Sequence, residues 1–438
     1  MSVALIILGA GKGTRMNSEL PKVVHPIAGA PMLVHAMRAG ATLDPAHTVI
    51  VAGHGADTVT KVAHAYDDEA KIVLQNEQLG TGHAVLQAAD ALAGFEGKVI
   101  VMYGDTPFVK PETLEAMIAA KADVVVLGFE PADAGRYGRL VTNGASLERI
   151  VEFKDATDTE RAITLCNSGV ICCAAPLLFE LLNKVTNYNA SGEYYLTDVI
   201  GLARTAGHTA TVVTCSEAET LGINSRAELA AADALFQAAA RLALLDDGVT
   251  LVAPDTVYLS LDTLIGRDTI IEPNVVFGPD VTVESGATIR AFSHLEGCHV
   301  SRGSIVGPYA RLRPGAELSE NVRVGNFVEI KNATIAEGAK VNHLSYIGDA
   351  SIGERSNIGA GTITCNYDGV MKHHTEIGAD VFIGSNTMLV APVTIGNRAM
   401  TGSGSVITSD VGPEALALSR APQIEKPGMA QKLFDMLQ

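Results

Sequence analysis

An apolar run, Val3-Ala4-Leu5-Ile6-Ile7-Leu8, opens directly into Gly9-Ala10-Gly11-Lys12-Gly13-Thr14-Arg15-Met16, and Pro21-Lys22 follows. Glycine at every second position lets backbone N–H groups face an anion, and Lys12, Arg15 and Lys22 can add positive charge. The chemistry this suggests is phosphate binding. The spacing G-x-G-x-G is not the dinucleotide fingerprint, and Gly13 stands where a Walker loop has Ser or Thr after its Lys, so a plain strand-to-helix turn reads the same residues equally well. A second candidate is Tyr103-Gly104-Asp105. A carboxylate ending a buried strand offers hard oxygens to Mg²⁺; it could instead cap the helix that begins near Pro111. In the C-terminal half, Arg313, Lys331, His343, Tyr346, Asn357, Asn366, Tyr367 and Lys372 fall outside an otherwise aliphatic period. Imidazole can be neutral and basic near pH 7, which suits proton transfer, although a lone His on a repeat is more often a surface residue.

The elements that must hold these residues differ between the two halves. Apolar strands read at Thr48–Ala52, Lys71–Leu74, Val99–Tyr103, Asp123–Phe129 and Val170–Ala174. Helical patterns lie between, at Pro31–Ala41, Ala56–Ala65, Thr81–Leu92 and Pro111–Ala120. Such alternation predicts a mainly parallel sheet covered on both faces, with ligands at the carboxyl ends of its strands. From Ile265 to Ile407 the period changes to six. Ile265, Ile271, Phe277, Val283, Ile289 and Leu295 fall six apart, as do Val306, Leu312, Leu318, Val324 and Ile330, and Ile377, Ile383, Leu389 and Ile395. That period fits a parallel β-helix, each hexapeptide giving one short strand and one corner, with Gly, which often follows the aliphatic residue, or a small polar residue to turn the corner. Between the two patterns, Ser225-x-x-Glu228 reads as a capping box before an Ala- and Leu-rich helix stopped by Asp246-Asp247-Gly248. The expected domains are 1–226, a helical linker over 227–247, and 248–438.

The 438 residues suffice for two or three domains. A net charge of −17 argues against general nucleic-acid binding, so an anionic ligand must be met by local cations and backbone N–H groups. Apolar runs are too short to span a bilayer, and the N-terminal run reads as a strand, not a signal peptide. Cys166, Cys172, Cys173, Cys215, Cys298 and Cys365 form no CxxC pair and read as buried, reduced thiols, consistent with a cytoplasmic location.

The stretch Leu8–Met16 with Pro21-Lys22 resembles the signature of sugar-phosphate nucleotidyltransferases. Gln75, Gln78-Leu79-Gly80-Thr81-Gly82-His83-Ala84, Tyr103-Gly104-Asp105, Tyr137-Gly138-Arg139, Val151-Glu152, Asn167-Ser168-Gly169 and Gly222-Ile223-Asn224 narrow it. They are similar to the bacterial bifunctional N-acetylglucosamine-1-phosphate uridyltransferases/glucosamine-1-phosphate N-acetyltransferases, and the likeness continues through the repeats. Gly9, where that family usually has Ala, departs slightly. The resemblance implies a Rossmann-like α/β nucleotidyltransferase domain followed by a left-handed parallel β-helix. It implies acetylation of glucosamine-1-phosphate, then uridyl transfer from UTP, giving UDP-N-acetylglucosamine for peptidoglycan and lipopolysaccharide. Leu8, Gly9, Ala10 and Gly11 would hold the nucleotide, with Tyr103 and Gly104 beside them. Lys22 and Arg15 would stabilise phosphate, and Gln75, Gly80 and Thr81 would read uracil. Gly138, Glu152 and Asn167 would bind the sugar, while Asp105 and Asn224 would hold Mg²⁺. In the repeats, the resemblance makes His343 the general base, with Arg313, Lys331, Tyr346 and Asn357 on the acceptor. It places acetyl-CoA at Ala360, Asn366, Tyr367, Ser385, Ser403 and Arg420; Ser403 is often Ala in the family. A homotrimer through the β-helix is implied, with no nucleic-acid or membrane partner. A nucleotidyltransferase whose β-helix only assembles or regulates it is the alternative reading.

Overall fold

The computed structural model describes residues 2–437. They form two compact units that divide between Phe236 and Gln237.

In the first unit, β1 (Val3–Gly9) is buried along its whole length. It lies between β2 (His47–Ala52) and β4 (Lys98–Tyr103), parallel to both, with β3 (Lys71–Leu74) outside β2. A strand covered on both faces needs apolar residues at every position. Ala4, Ile6 and Leu8 accordingly enter one core, and Leu5 and Ile7 the other. Helices α1 (Met32–Ala41), α2 (Ala56–Tyr66), α3 (Thr81–Leu86) and α4 (Pro111–Ala119) fall where the periodicity predicts them, α3 ending six residues early. Beyond β4 come β5 (Val124–Phe129), a hairpin β6 (Arg139–Asn143) and β7 (Ser146–Val151), β8 (Cys166–Ala174), α5 (Ala175–Leu182), α6 (Asp198–Thr205) and β9 (Ala210–Cys215). The sheet runs β9-β5-β8-β4-β1-β2-β3. Only β8 on this path is antiparallel to its neighbours, which keeps the sheet mainly parallel, as expected. Strand β8 starts earlier than its apolar run because its pairing with β5 shifts register between Asn167 and Ile171. Gly169 sits in that bulge at φ +92°, against the ring of Tyr103.

The second unit is a parallel β-helix. Short strands stack coil on coil in parallel ladders, as in Ile270–Ile271, Thr288–Ile289, Ile305–Val306, Arg323–Asn326 and Lys340–His343. The six-residue aliphatic series forms its core; Ile271, Ile289, Val306, Val324 and Val341 are buried one above the next. The glycines after the aliphatic residues do a different job from the one expected. Of those in Ile265-Gly266, Val306-Gly307, Val324-Gly325, Ile347-Gly348, Ile358-Gly359, Ile377-Gly378, Ile383-Gly384 and Ile395-Gly396, only Gly307 has positive φ. A side chain at Gly325 would fall on the carbonyl oxygen of Asn342 in the next coil, so its role is close approach of backbones. Left-handed corners are taken by small polar residues, as expected, among them Asp268, Asn274, Asp280 and Asn321, and also by Phe292, Tyr309, Phe327 and Leu344.

Helix α7 (Arg226–Asp246) is shared between the units and is not a separate linker. The Ser225–Glu228 capping box forms, with Glu228 N–H donating to Ser225 Oγ and Ser225 N–H to Glu228 Oε2. Ala232 and Phe236 pack in the first unit, Phe236 edge-on to His35. Gln237 belongs to the second, its amide bonded both ways to the backbone of Leu259. The helix ends as expected: Gly248, at φ +86°, donates to Leu245 O and Val249 to Leu244 O. A further helix, α8 (Met429–Leu437), closes the described chain. Among the described residues no helix is long and apolar enough to cross a membrane.

Four of the six cysteines are buried; Cys215 and Cys365 are only partly so, against the expectation for all six. Burial pushes Cys172 up to about 11 and Cys173 and Cys298 up to about 12. These three should therefore resist a thiol reagent at pH 8 in the native protein and react once it is unfolded. Mass spectrometry after timed labelling checks this, and native-state labelling of Cys172 or Cys173 as fast as a free thiol would contradict the packing.

Candidate active sites

The loop after β1 and the carboxyl end of β4 face one cavity of about 350 Å³. It is lined by Leu8, Gly9, Ala10, Gly11, Lys22, Gln75, Gly80, Thr81, Tyr103 and Asp105, all expected, and by Gln78 and Glu193, which the sequence reading did not assign. Gly104 N–H donates to Leu8 O at 2.9 Å, so the two strand ends open side by side. Gly80 has φ +113°, and a Cβ there would lie 2.6 Å from the carbonyl oxygen of Tyr194. The segment over residues 193–196 packs on this loop: Tyr194 N–H donates to Leu79 O and Leu196 N–H to Thr81 Oγ1. That contact brings Glu193 to the cavity, and no motif in the sequence signals it.

Lys22 Nζ donates to Asp105 Oδ2 and, at 3.0 Å, to Asn224 Oδ1. Three distant segments thus meet at one cation, and Ile223 N–H donating to Asp105 O anchors two of them. Asp105 is not a helix cap. Helix α4 starts after Lys110, and Glu219 accepts from Lys110 N–H and Thr113 Oγ1 there. A carboxylate and an amide oxygen already gathered around a cation are the hard donors Mg²⁺ takes, so these residues fit the metal. Arg15 lies exposed on a 3-10 turn, outside the cavity lining.

Gly138, Glu152 and Asn167 come together beside this cavity. Asn167 N–H donates to Gly138 O, and a Cβ on Gly138 would lie 3.6 Å from both Asn167 Cβ and Glu152 Oε1. Burial pushes the Glu152 carboxyl up, against a hydrogen bond from Thr197, a partner the sequence did not suggest. Burial, with the charges of Asp105 and Glu152, raises the Tyr103 hydroxyl well above its ordinary value, so it stays protonated near neutral pH.

In the second unit His343 ends a strand, and Tyr346 begins the next across the corner at Leu344. His343 Nδ1 lies 2.9 Å from Asn326 Oδ1, one coil below. Set with its amide oxygen toward the ring, Asn326 can accept from Nδ1–H. Asn326, in Gly325-Asn326-Phe327, was not singled out in the sequence. Arg313 is paired with Glu329, which stands beside Tyr346 in the ladder. Lys331 sits against Lys372, and that ammonium together with Arg313 pulls its pKa below the ordinary value. Lys372 thus stands with Lys331 and Arg313 on this face, beside the carboxylate of Asp349.

Asn357 pairs with Lys340, three positions along the strand from the His343 level, so the chain itself does not bring it to His343. Ala360, Ser385 and Ser403 instead follow His343 up one corner. Gly361 N–H donates to His343 O, Asn386 N–H to Ala360 O and Gly404 N–H to Ser385 O; Arg420 Nη1 reaches Ser403 O at 2.7 Å. The loop after Cys365 protrudes, as expected, with Tyr367 exposed. Asn366 is the exception: it turns inward and donates from a buried position to Asp349, whose other carboxylate oxygen accepts from Asn332. His373 closes the loop on Asp368, and His374 bonds Ser351.

The profile of the MobA-like NTP transferase domain matches residues 5–183, and that of the bacterial transferase hexapeptide (six repeats) matches 262–297 and 374–409. The chain is 71% identical to the bifunctional protein GlmU of Roseobacter denitrificans, over 100% of this chain and 98% of that one. Identity to the GlmU of Ruegeria sp. is 70% over the same shares, and to that of Paracoccus denitrificans 64% over 99% and 98%. Among solved structures, a UDP-glucose pyrophosphorylase complexed with UDP-glucose covers 55% of this chain and 100% of its own at 18% identity and TM-score 0.44. The chain belongs to the GlmU family of bifunctional enzymes, a nucleotidyltransferase and a hexapeptide-repeat acyltransferase in one polypeptide.

Proposed function

We propose that this chain makes UDP-N-acetylglucosamine in two steps at two sites. The second unit acetylates glucosamine-1-phosphate, and the first joins the product to UMP from UTP. The observation that carries the uridyl step is the meeting of Lys22, Asp105 and Asn224 at the cavity of the Gly-rich loop. Backbone groups of Leu8–Gly11 line that cavity beside Lys22, where they can face the triphosphate. Gln75, Gly80 and Thr81 read the base, and Gly138, Glu152 and Asn167 hold the sugar. An oxygen of the sugar phosphate attacks the α-phosphorus, the bond to the bridging oxygen breaks and pyrophosphate leaves. No protein nucleophile is required, because positioning and charge neutralisation carry phosphoryl-type transfers. Asp105 and Asn224 would hold Mg²⁺, which when bound neutralises charge on the phosphates. Lys22, with those oxygens engaged, serves the phosphate, and Arg15 acts from the loop.

For acetyl transfer, Arg313 and Lys331, joined by Lys372, grip the sugar phosphate, and Tyr346 orients the sugar. The amine attacks the thioester carbonyl of acetyl-CoA while His343 Nε2 takes its proton, and coenzyme A leaves as the thiol. Asn326 fixes the imidazole in the tautomer this needs. Ala360, Ser385, Ser403 and Arg420, rising in one column, suit the long arm of acetyl-CoA, with Tyr367 at its side. The family's trimer through parallel prisms supplies the remaining walls, Asn357 among them. An exposed ladder of Phe292, Tyr309 and Phe327, stacked at 4.9 and 5.2 Å, offers apolar surface for that assembly. We place the enzyme in the cytoplasm, where its thiols stay reduced.

Asp105→Ala should abolish pyrophosphate release from UTP and leave coenzyme A release intact; normal uridyl transfer by this variant would remove Asp105 from the site. His343→Ala should slow acetyl transfer about 10²–10⁴-fold, the range for loss of a general base. Coenzyme A release read with a thiol reagent, with acetyl-CoA affinity by calorimetry, checks this. Affinity should persist, and near-normal acetylation would exclude His343 as the base.

A further inference from the structure

Gln75 is buried, lines the nucleotide cavity and uses both its amide hydrogens. Nε2 lies 3.1 Å from Gly80 O and 3.1 Å from His83 Nδ1. Gly80 O can only accept, so the amide atom facing it must be the nitrogen, whichever way the side chain is first drawn. His83 Nδ1 must then accept as well, and the ring proton sits on Nε2. Gln87 Nε2 lies 3.2 Å from that nitrogen and 3.0 Å from His83 O, so this half-buried amide must turn aside for the ring proton, a freedom the buried Gln75 amide lacks. Among the described residues none donates to Gln75 Oε1, and a bare acceptor is what Gln75 has left to offer the cavity.

We infer that His83 is a positioning residue that selects uracil by locking the Gln75 amide with its oxygen toward the base. The inference rests on the reading of Gln75 as a contact to the base. Uracil carries a hydrogen on N3 and can donate to Oε1. Cytosine presents a bare N3, which a fixed oxygen repels, while a turned amide would donate to it. Gly80 alone leaves one amide hydrogen unused; His83 takes the second, and an amide that turned would face two acceptors with its oxygen. The ring touches no substrate in this scheme.

The experiment uses the full-length enzyme with Mg²⁺ and N-acetylglucosamine-1-phosphate, and compares kcat/KM for UTP and CTP by pyrophosphate release. Acetyl transfer by the same sample reports that the chain is folded. His83→Asn places an oxygen where Nδ1 stood and should keep the UTP preference within about threefold, whereas His83→Gln and His83→Leu lack that acceptor and should lower it about 10-fold or more, on the scale of one lost hydrogen bond. The change should appear in KM, with CTP gaining while UTP loses. Gln75→Ala tests the underlying reading: if it leaves the preference untouched, Gln75 does not read the base and both fall together. If Gln75→Ala erodes the preference but His83→Gln and His83→Leu do not, or if they slow both nucleotides equally, the role of His83 is overturned while that of Gln75 stands. Should His83→Leu lose uridyl transfer outright, the contrast between His83→Asn and His83→Gln decides.

Discussion

A single ammonium group organises the first unit. Lys22 Nζ is held by Asp105 and Asn224, so the glycine-rich loop, the end of a central strand and the segment before α7 are tied at one point. The pair is mostly shielded, with Lys22 13% and Asp105 18% exposed at the side chain. A charge so placed needs a partner, since desolvation without one is costly. Separating the ammonium from its oxygens leaves both unsatisfied unless a cation and an anion enter together. A metal with a nucleotide is such a pair. In a chain of net charge −17, that local arrangement gives a polyphosphate somewhere to bind.

The second unit meets a different constraint. One coil cannot bury its own apolar face, so coils stack in register. Stacking fixes the height of every residue along each corner. His343 thus stands one rung above Asn326 and one below Ala360. The acetyl transfer we propose would draw on the same regularity as stability: the corner that carries His343 carries, further up, Ala360, Ser385 and Ser403. The cost appears at Lys331, which the coil sets near Arg313 and against which the loop after Cys365 sets Lys372, a crowding that an anionic acceptor would relieve.

Much of this is legible in the sequence, for identifiable reasons. The six-residue period and the strand-helix alternation depend on burial, which writes itself into hydropathy. The Ser225–Glu228 box and Gly248 are local in sequence and form as read. Partners set by distant pairing are not legible: Asn326 reaches His343 only through ladder register, and Glu193 reaches the cavity only because its segment packs on Gly80 and Thr81. The glycines of the β-helix were visible but misread, since a close backbone contact and a left-handed turn call for the same residue. Strand β8 began earlier than its apolar run because Gly169 forms a bulge that hydropathy does not mark.

The central claim is that two chemistries share the chain and that only the uridyl step runs through the oxygens of Asp105 and Asn224. It is tested most directly by removing divalent metal from one sample supplied with all three substrates, and following coenzyme A and pyrophosphate separately. On this account a chelator stops pyrophosphate release while coenzyme A release continues, and added Mg²⁺ restores the former. Continued pyrophosphate release without metal, or loss of both products together, would contradict it.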